Sequence, residues 1–489
     1  MSVRRPGRMS SFREKNHQTT DTKSDNKHLE NISKGMNKAR QYIIILLTYF
    51  FYKLVQTIVV TFQKFTWAVT GVEKTRKDAK HGLQFKQSVH VQNIFWRRKF
   101  IETSMADASN FITTHKAFKH PNYILKPNVS LYCMTKDEVI FVEVPEGADI
   151  TGTKDPGTPM YVQQFKQALS LITMPLPAFH KIAHDLGNPR VPIIWISNTG
   201  HCGATLLCQM FSQLPGMLVM NSPDVLTSLA FLEKSNKFEK GEYEQLLPGA
   251  IRILCKPDER ARMICVKTRP CCTIQMGDVF RNFPQVYQLY LYRNSLKTVS
   301  SSLNIFGIEE FDIIARYILD SEVLSTFLPF FRNALYNKFC YVLDRSPPIV
   351  NPKTMSTVSA FTTAWAANIA TCLDFVEAGV PLLPMLYEDM MRNPSRTCSV
   401  LFEFLEIRQD FVETAIQGFR IDSSKLATSG QNSILPESRK TIPHNFRVEA
   451  DAILKKFGLP KLGERFEING LADFETPKFT RLNSRDRFI

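Results

Sequence analysis

Ile193-Ile194-Trp195-Ile196-Ser197-Asn198-Thr199-Gly200-His201-Cys202-Gly203-Ala204-Thr205-Leu206-Leu207 is the stretch on which the reading of this chain turns. Its first four residues form a continuous apolar run, the pattern of a strand buried on both faces. A turn bearing two glycines follows. Leu206, Leu207, Met210, Phe211 and Leu214 then recur at helical spacing until Pro215-Gly216 stops the helix. A turn between a buried strand and a helix N-terminus aims free backbone N–H groups and the positive end of the helix dipole at one point, which suits a phosphate or sulfate. From Pro192 onward strand and helix patterns alternate. That alternation predicts an α/β body of three layers, a central parallel sheet flanked by helices on both faces. The turn does not match G-x-x-x-x-G-K-[ST], the cradle of nucleotide triphosphatases, because Ala204 stands where that motif requires lysine.

Three further segments extend the pattern toward the C-terminus. A strand over residues 286–292 runs into Arg293-Asn294-Ser295-Leu296-Lys297-Thr298-Val299-Ser300-Ser301. The planar fork of an arginine binds phosphate oxygens in pairs, and a hydroxyl one or two helical turns on can complete the shell. Arg293 is therefore expected to converge on the turn around Gly203 from the neighbouring strand end. A second apolar strand, Met263-Ile264-Cys265-Val266, ends in Lys267-Thr268-Arg269-Pro270. The third segment is Tyr387-Glu388-Asp389-Met390, then Pro394, then Leu401-Phe402-Glu403-Phe404-Leu405.

On those residues, with the Gly203 turn, the Arg293 segment and the Tyr387 segment in family order, the chain resembles the sulfotransferases, as a divergent member with an N-terminal extension. Cys202-Gly203-Ala204-Thr205-Leu206-Leu207 looks like the family's S-G-T-T-W-L or S-G-S-T-L-L turn, which holds the 5′-phosphosulfate of 3′-phosphoadenosine 5′-phosphosulfate. The run from Arg293 to Ser301 is similar to R-[ND]-P-x-x-x-x-x-S, which grips the 3′-phosphate. Tyr387 onward resembles Y-E-D-L…P…L…F-L, a segment that supports the fold more than the chemistry. Lys267-Thr268-Arg269-Pro270 looks like K-T-H-x-P, and the stretch with Ser433 and Arg439 occupies the place of a late loop that closes over the 3′-phosphate. The resemblance implies a P-loop-type sheet and the nucleotide sulfate donor as cofactor. It further implies donor contacts from Gly200, His201, Cys202, Gly203, Ala204, Thr205, Leu206, Arg293, Ser301, Ser433 and Arg439, with His201 and Lys267 as catalytic residues.

Two positions depart from the family. His201 stands where Lys or Arg usually precedes the Ser-Gly of the turn, and Arg269 replaces the histidine that serves as base. A guanidinium cannot accept a proton at neutral pH, and an imidazole is a shorter and less constantly charged donor than lysine. Cys202 puts a weaker thiol donor where a hydroxyl is usual. Three classes stay open: transfer of sulfate to a hydroxyl or amine with another group as base, a membrane-tethered binder of nucleotide or anion without turnover, and other P-loop chemistry.

The chain's 61 Lys+Arg against 46 Asp+Glu give +15, yet residues 1–100 hold 20 basic and 6 acidic residues, leaving 41 against 40 for the rest. The body is therefore nearly neutral, and no nucleic-acid partner is expected. Residues 1–40 are basic and almost free of aliphatic side chains, which predicts a disordered tail. The 21 residues 42–62 carry 16 apolar or aromatic side chains and one charge, Lys53. At about 1.5 Å per residue they just cross a hydrocarbon core of roughly 30 Å. A spanning helix must tolerate Lys53 at about 2.5–3.5 kcal/mol. Alternatively Lys53, Gln56, Thr57, Thr61 and Lys64 mark the polar stripe of a helix lying in the interface, or the helix is a buried core element. Contact with membrane lipid through residues 42–62 is the expectation, single-pass if the helix spans. Both flanks are basic, so orientation stays open; the family resemblance favours an endomembrane compartment such as the Golgi.

The apolar run starts 41 residues in and has no small-residue cleavage pattern after it, so a cleaved signal peptide is not expected. Ten cysteines at these spacings give neither a disulfide framework nor a metal pair. His180 and His184 lie at i and i+4 but lack the glutamate of a zinc motif, so no metal is expected. Strands are read at 123–125, 129–133 and 139–142, a loop at 151–159, and helices near 161–172 and 177–186. The expected organisation is a tail (1–40), a hydrophobic membrane-contacting helix (41–72), a small mixed α/β region (73–187), the sulfotransferase-like P-loop domain (188–470) and a C-terminal tail (471–489).

Overall fold

The computed structural model describes residues 40, 43–45, 47–235, 241–306, 315–316, 318–319, 321–343, 349–420 and 444–474. The chain divides into two units, Met1–Val59 and Val60–Ile489.

Helix α1 runs Ile43–Val69, and only 6% of its most apolar window is buried. Ile43, Leu47, Phe50, Phe51, Leu54, Ile58, Phe62, Phe65 and Val69 are all more than half exposed. The helix is long and apolar enough to cross a membrane. Gly71, at φ 78°, separates it from α2 (Val72–Lys80).

Two sheets follow. The first is antiparallel, with β1 (Val89–Arg97), β2 (Phe111–Lys119), β3 (Val129–Met134), β4 (Glu138–Glu143) and β5 (Ser170–Pro175) in the order β2-β1-β5-β4-β3. Helix α3 (Met160–Gln167) precedes β5 and α4 (Leu176–Leu186) follows it. Two sequence expectations change here. Residues 123–125 belong to the 3₁₀ turn Pro121–Leu125, because Pro121 opens it and the His120 side chain accepts from the Asn122 N–H. The helix expected to reach 172 ends at Gln167, and Ser170–Pro175 is the central strand, buried at every position. A short apolar run buried on both sides has no periodicity with which to separate strand from helix.

The second sheet is parallel throughout, with β6 (Ile193–Asn198), β7 (Met217–Asn221), β8 (Met263–Lys267), β9 (Tyr287–Tyr292) and β10 (Leu383–Leu386) in the order β10-β9-β6-β8-β7. Helices α5 (Ala204–Ser212), α6 (Val225–Lys234), α7 (Glu242–Leu254), α8 (Met276–Asn282), α9 (Ser295–Ile305), α10 (Thr357–Glu377), α11 (Pro394–Phe404), α12 (Val412–Phe419) and α13 (His444–Lys456) belong to the body, together with the helices Glu322–Phe327, Phe330–Phe339 and Tyr387–Met390. Strand alternation assigns the two faces. Ile194, Ile196, Cys265, Leu289 and Leu291 pack with α5, α11 and α12, whereas Ile193, Trp195, Ile264 and Val266 pack against α6 and α7. The second face is continuous with the first sheet, since Val129, Phe141 and Ile172 join the same cluster. Each such side chain contributes about 1.5–3 kcal/mol on full burial, so β6, with all six residues buried, is a rigid platform for whatever its end carries. The body is thus the expected α/β arrangement, a parallel five-stranded sheet between helices.

Candidate functional site

The order of the parallel sheet decides where a site can form. The chain leaves central β6 toward β7 and β8 on one side, then crosses to β9 and β10 on the other, so a crevice opens at the C-terminal end of β6. Into that crevice come the turn 199–203, Lys267 at the end of β8 and Arg293 just past β9.

The turn needs its glycines. Gly200, His201 and Gly203 have φ of 78°, 49° and 83°, the left-handed region, and Gly203 starts α5 from there. A Cβ on Gly203 would lie 2.5 Å from the Tyr387 ring, so the turn is closed on that side by the aromatic of the Tyr-Glu-Asp segment. The Gly200 N–H donates to Asn198 Oδ1 at 3.0 Å, and the Leu206 N–H donates to the Gly203 carbonyl at 2.9 Å. Ala204 and Thr205 stand in the first turn of α5, where N–H groups have no partner within the helix. Cys202 differs from the expected hydroxyl donor. Its thiol is buried and donates to the Leu291 carbonyl at 3.2 Å, and burial pushes its pKa up, so it fastens the turn to β9.

Arg293 Nη1 donates to the His201 carbonyl at 3.1 Å, and its guanidinium stacks on Tyr387, 4.7 Å from the ring centre. Its Nε is buried without a hydrogen-bond acceptor, 3.9 Å from Glu388 Oε1, which itself accepts no hydrogen bond. Lys297 Nζ lies 3.7 Å from the same carboxylate. Ser301 sits on the second turn of α9, half-buried. Ser433 and Arg439 lie outside the described residues.

Lys267 Nζ donates to Asn221 Oδ1 and to Ser222 Oγ, each at 3.0 Å, and burial lowers its pKa. Ser222 holds φ 60°, a conformation non-glycine residues seldom adopt. Packing, then the charges of Lys267 and Arg293, push His201 down to about 4. His201 is solvent-exposed at the turn, and with its pKa lowered the imidazole is neutral at pH 7. Arg269 does not reach toward the turn. Its guanidinium pairs with Asp224 and stacks 4.2 Å from the Tyr161 ring centre.

Several residues that sequence reading did not single out hold this arrangement. Asn368 on α10 donates to the carbonyls of Asn198 (3.2 Å) and Pro270 (2.7 Å) and accepts from the Tyr290 hydroxyl (2.6 Å), tying together the end of β6, the segment after β8 and the middle of β9. Trp365 Nε1 donates to the Arg293 carbonyl at 3.0 Å. Both lie in the mostly buried part of a long helix, where an isolated Asn or Trp carries no local signal. Among the described residues no group of three or more His, Cys, Asp and Glu could hold a metal ion.

Comparison with known proteins gives only loose relations. No family model and no curated protein matches the chain. Among solved structures, the sulfotransferase domain from the curacin biosynthetic pathway is similar at 14% identity, covering 56% of this chain and 100% of that one, with a TM-score of 0.30. Sulfotransferase STF9 from Mycobacterium avium is similar at 12% identity, covering 58% of this chain and 81% of its own, with a TM-score of 0.30. The sulfotransferase domain of the Synechococcus PCC 7002 olefin synthase shares 14% identity over 56% of this chain and 96% of its own, with a TM-score of 0.28. Likenesses this loose bear on neither the site nor its chemistry.

Proposed function

We infer that the body over residues 188–470 binds 3′-phosphoadenosine 5′-phosphosulfate and transfers its sulfuryl group to a hydroxyl or amine of an acceptor. The observation that carries this reading is the 3.1 Å hydrogen bond from Arg293 to the His201 carbonyl, which puts a guanidinium and a helix N-terminus at one crevice. The residues fit such an anion. Arg293 Nε is a buried donor without an acceptor, and Lys267 adds a second cation on the opposite side of the turn.

In this reading the turn 200–206 takes the phosphosulfate through its backbone N–H groups other than those of Gly200 and Leu206, which are bonded to Asn198 Oδ1 and the Gly203 carbonyl, while Arg293 and Ser301 take the 3′-phosphate together with Ser433 and Arg439. When bound, the donor supplies the sulfuryl group; the chain supplies position and charge. Lys267, oriented by Asn221 and Ser222, stabilises charge on the leaving phosphate oxygen. His201, neutral at pH 7, offers a hydrogen bond at the same place.

A second reading is a binder without turnover, and the Arg269–Asp224 pair favours it. The family's base position is filled by a cation locked in an ion pair, and Glu388 presses a carboxylate against Arg293. Calorimetry of the full chain with 3′-phosphoadenosine 5′-phosphate, followed by a sulfate-transfer screen over glycans, steroids and phenols, separates the two. Binding with transfer supports the enzyme, binding alone supports the second reading, and no binding removes both.

A further inference from the structure

We propose that the basic cleft between the C-terminal end of α1 and α2 is a binding site for the phosphate-bearing headgroup of an anionic membrane lipid. The cleft lies entirely within residues 60–80 and encloses about 650 Å³. Its walls are two helical stripes that face each other. Lys64 and Trp67 come from α1, one turn apart, and Arg76, Lys77 and Lys80 come from α2, also within one turn. Gly71 makes the reversal between them in the left-handed conformation, with nothing within 4 Å of where a Cβ would stand. The Arg76 guanidinium lies 5.0 Å from the centre of the Trp67 ring and holds the base of the cleft.

The charge is only partly balanced. Glu73 lies 4.0 Å from Lys77, and Glu138 on β4 lies 2.8 Å from Arg76 and 3.7 Å from Lys80. Four cations therefore face two carboxylates, an excess that suits one phosphate group. Lys64, Lys77 and Lys80 are exposed, so their ammonium groups can follow a ligand.

The position of the cleft selects a lipid as the source of that phosphate. Phe62, Phe65 and Val69, on the face of α1 turned away from Lys64 and Trp67, are 67%, 67% and 72% exposed. An exposed apolar face of that kind seats this end of α1 in a bilayer, where the phosphate within reach of the lysines on the other face is that of a lipid headgroup. The proposal goes beyond the nucleotide site and rests on α1 contacting membrane, and its test separates the two.

The full chain is reconstituted into phosphatidylcholine vesicles doped with either brominated phosphatidylserine or brominated phosphatidylcholine, and tryptophan fluorescence is followed. A Trp67→Phe chain supplies the background from Trp96, Trp195 and Trp365. The Trp67 signal should be quenched preferentially by the brominated phosphatidylserine. In Lys64→Ala/Lys77→Ala/Lys80→Ala, the mole fraction needed for half-quenching should rise at least about fivefold, while Arg at the same three positions preserves it. An unchanged thermal melt shows that the alanine chain is folded. Equal quenching by both lipids, with association intact, overturns the headgroup site and leaves membrane contact standing. Failure to associate with phosphatidylcholine vesicles overturns both, and relief of quenching by inorganic phosphate makes it a soluble-anion site instead.

Discussion

Arg269 Nε lies 2.8 Å from Asp224 Oδ1 in an ion pair whose carboxylate is fully buried. The pair is also a clamp between the two sheets. Arg269 donates to the carbonyls of Thr103 (3.0 Å) and Ser104 (3.4 Å), and Asp224 Oδ2 accepts from the Ala106 N–H, all in the connection between β1 and β2. A buried carboxylate stripped of its paired cation is costly, so Arg269→Met should destabilise the fold by about 3–5 kcal/mol. The double variant Arg269→Met/Asp224→Leu should cost clearly less than the two single costs added, because neither charge is then left alone. Urea denaturation of the four chains measures this cycle, and strict additivity would show that the pair is not coupled.

Gly203 and Gly71 offer a matched test of the turn. Both sit in the left-handed region, at φ 83° and 78°, but only Gly203 has a neighbour, the Tyr387 ring, where a Cβ would be. Gly71→Ala should cost about 1–2 kcal/mol from backbone strain alone. Gly203→Ala should cost at least about 1 kcal/mol more, since the ring must move or the turn must open. Equal losses in denaturation experiments would mean that Tyr387 does not brace the turn.

The sheet was legible in the sequence because its signals are local. The apolar run at 193–196, the glycines at 200 and 203, and the leucine spacing after them each follow from chemistry within a few residues. Arg293 and Lys267 were legible for the same reason, as polar residues directly past apolar strands. What stayed hidden depends on partners far away in the chain. Asn368 acts through Asn198 and Pro270, 170 and 98 residues distant, and the Cys202 thiol turns to Leu291, so neither role has a spacing to read. The first residues of the strand Ser170–Pro175 read as the end of a helix reaching 172, because burial on both faces erases the period that distinguishes the two.

If Arg293 is the grip on the 3′-phosphate, Arg293→Ala should weaken binding of 3′-phosphoadenosine 5′-phosphate by about 2–3 kcal/mol, read by calorimetry. Arg293→Lys should recover only part of that loss, because an ammonium keeps the charge but not the fork. Glu388→Gln works in the opposite direction. It removes the carboxylate 3.9 Å from Arg293 Nε, so affinity for the anion should rise. A variant pair that moves affinity in neither direction would place the nucleotide elsewhere.

The pH dependence of stability is set in part by His90, on β1 and 2% exposed. Its Nε2 meets His115 Nδ1 at 2.9 Å, its ring stacks 4.8 Å from Phe118, and the Trp67 ring stands edge-on 5.0 Å away. Burial, then the charge of Arg76, then His115, push His90 down to about 3. In the unfolded chain the same ring titrates near 6.5, so between pH 6.5 and 3 the unfolded state binds a proton that the folded state refuses. Stability from this group is complete above 6.5 and falls as the pH drops, approaching 1.4 kcal/mol per unit, or about 2 kcal/mol by pH 5. His115 is shifted in the same direction by burial and adds to the slope. His90→Phe keeps an aromatic ring in the stack and removes the proton, so the stability difference between pH 7 and pH 5 should shrink by about 2 kcal/mol in urea denaturation. A difference as large in the variant as in the parent chain would mean that His90 is protonated in the folded state and that acid sensitivity arises elsewhere.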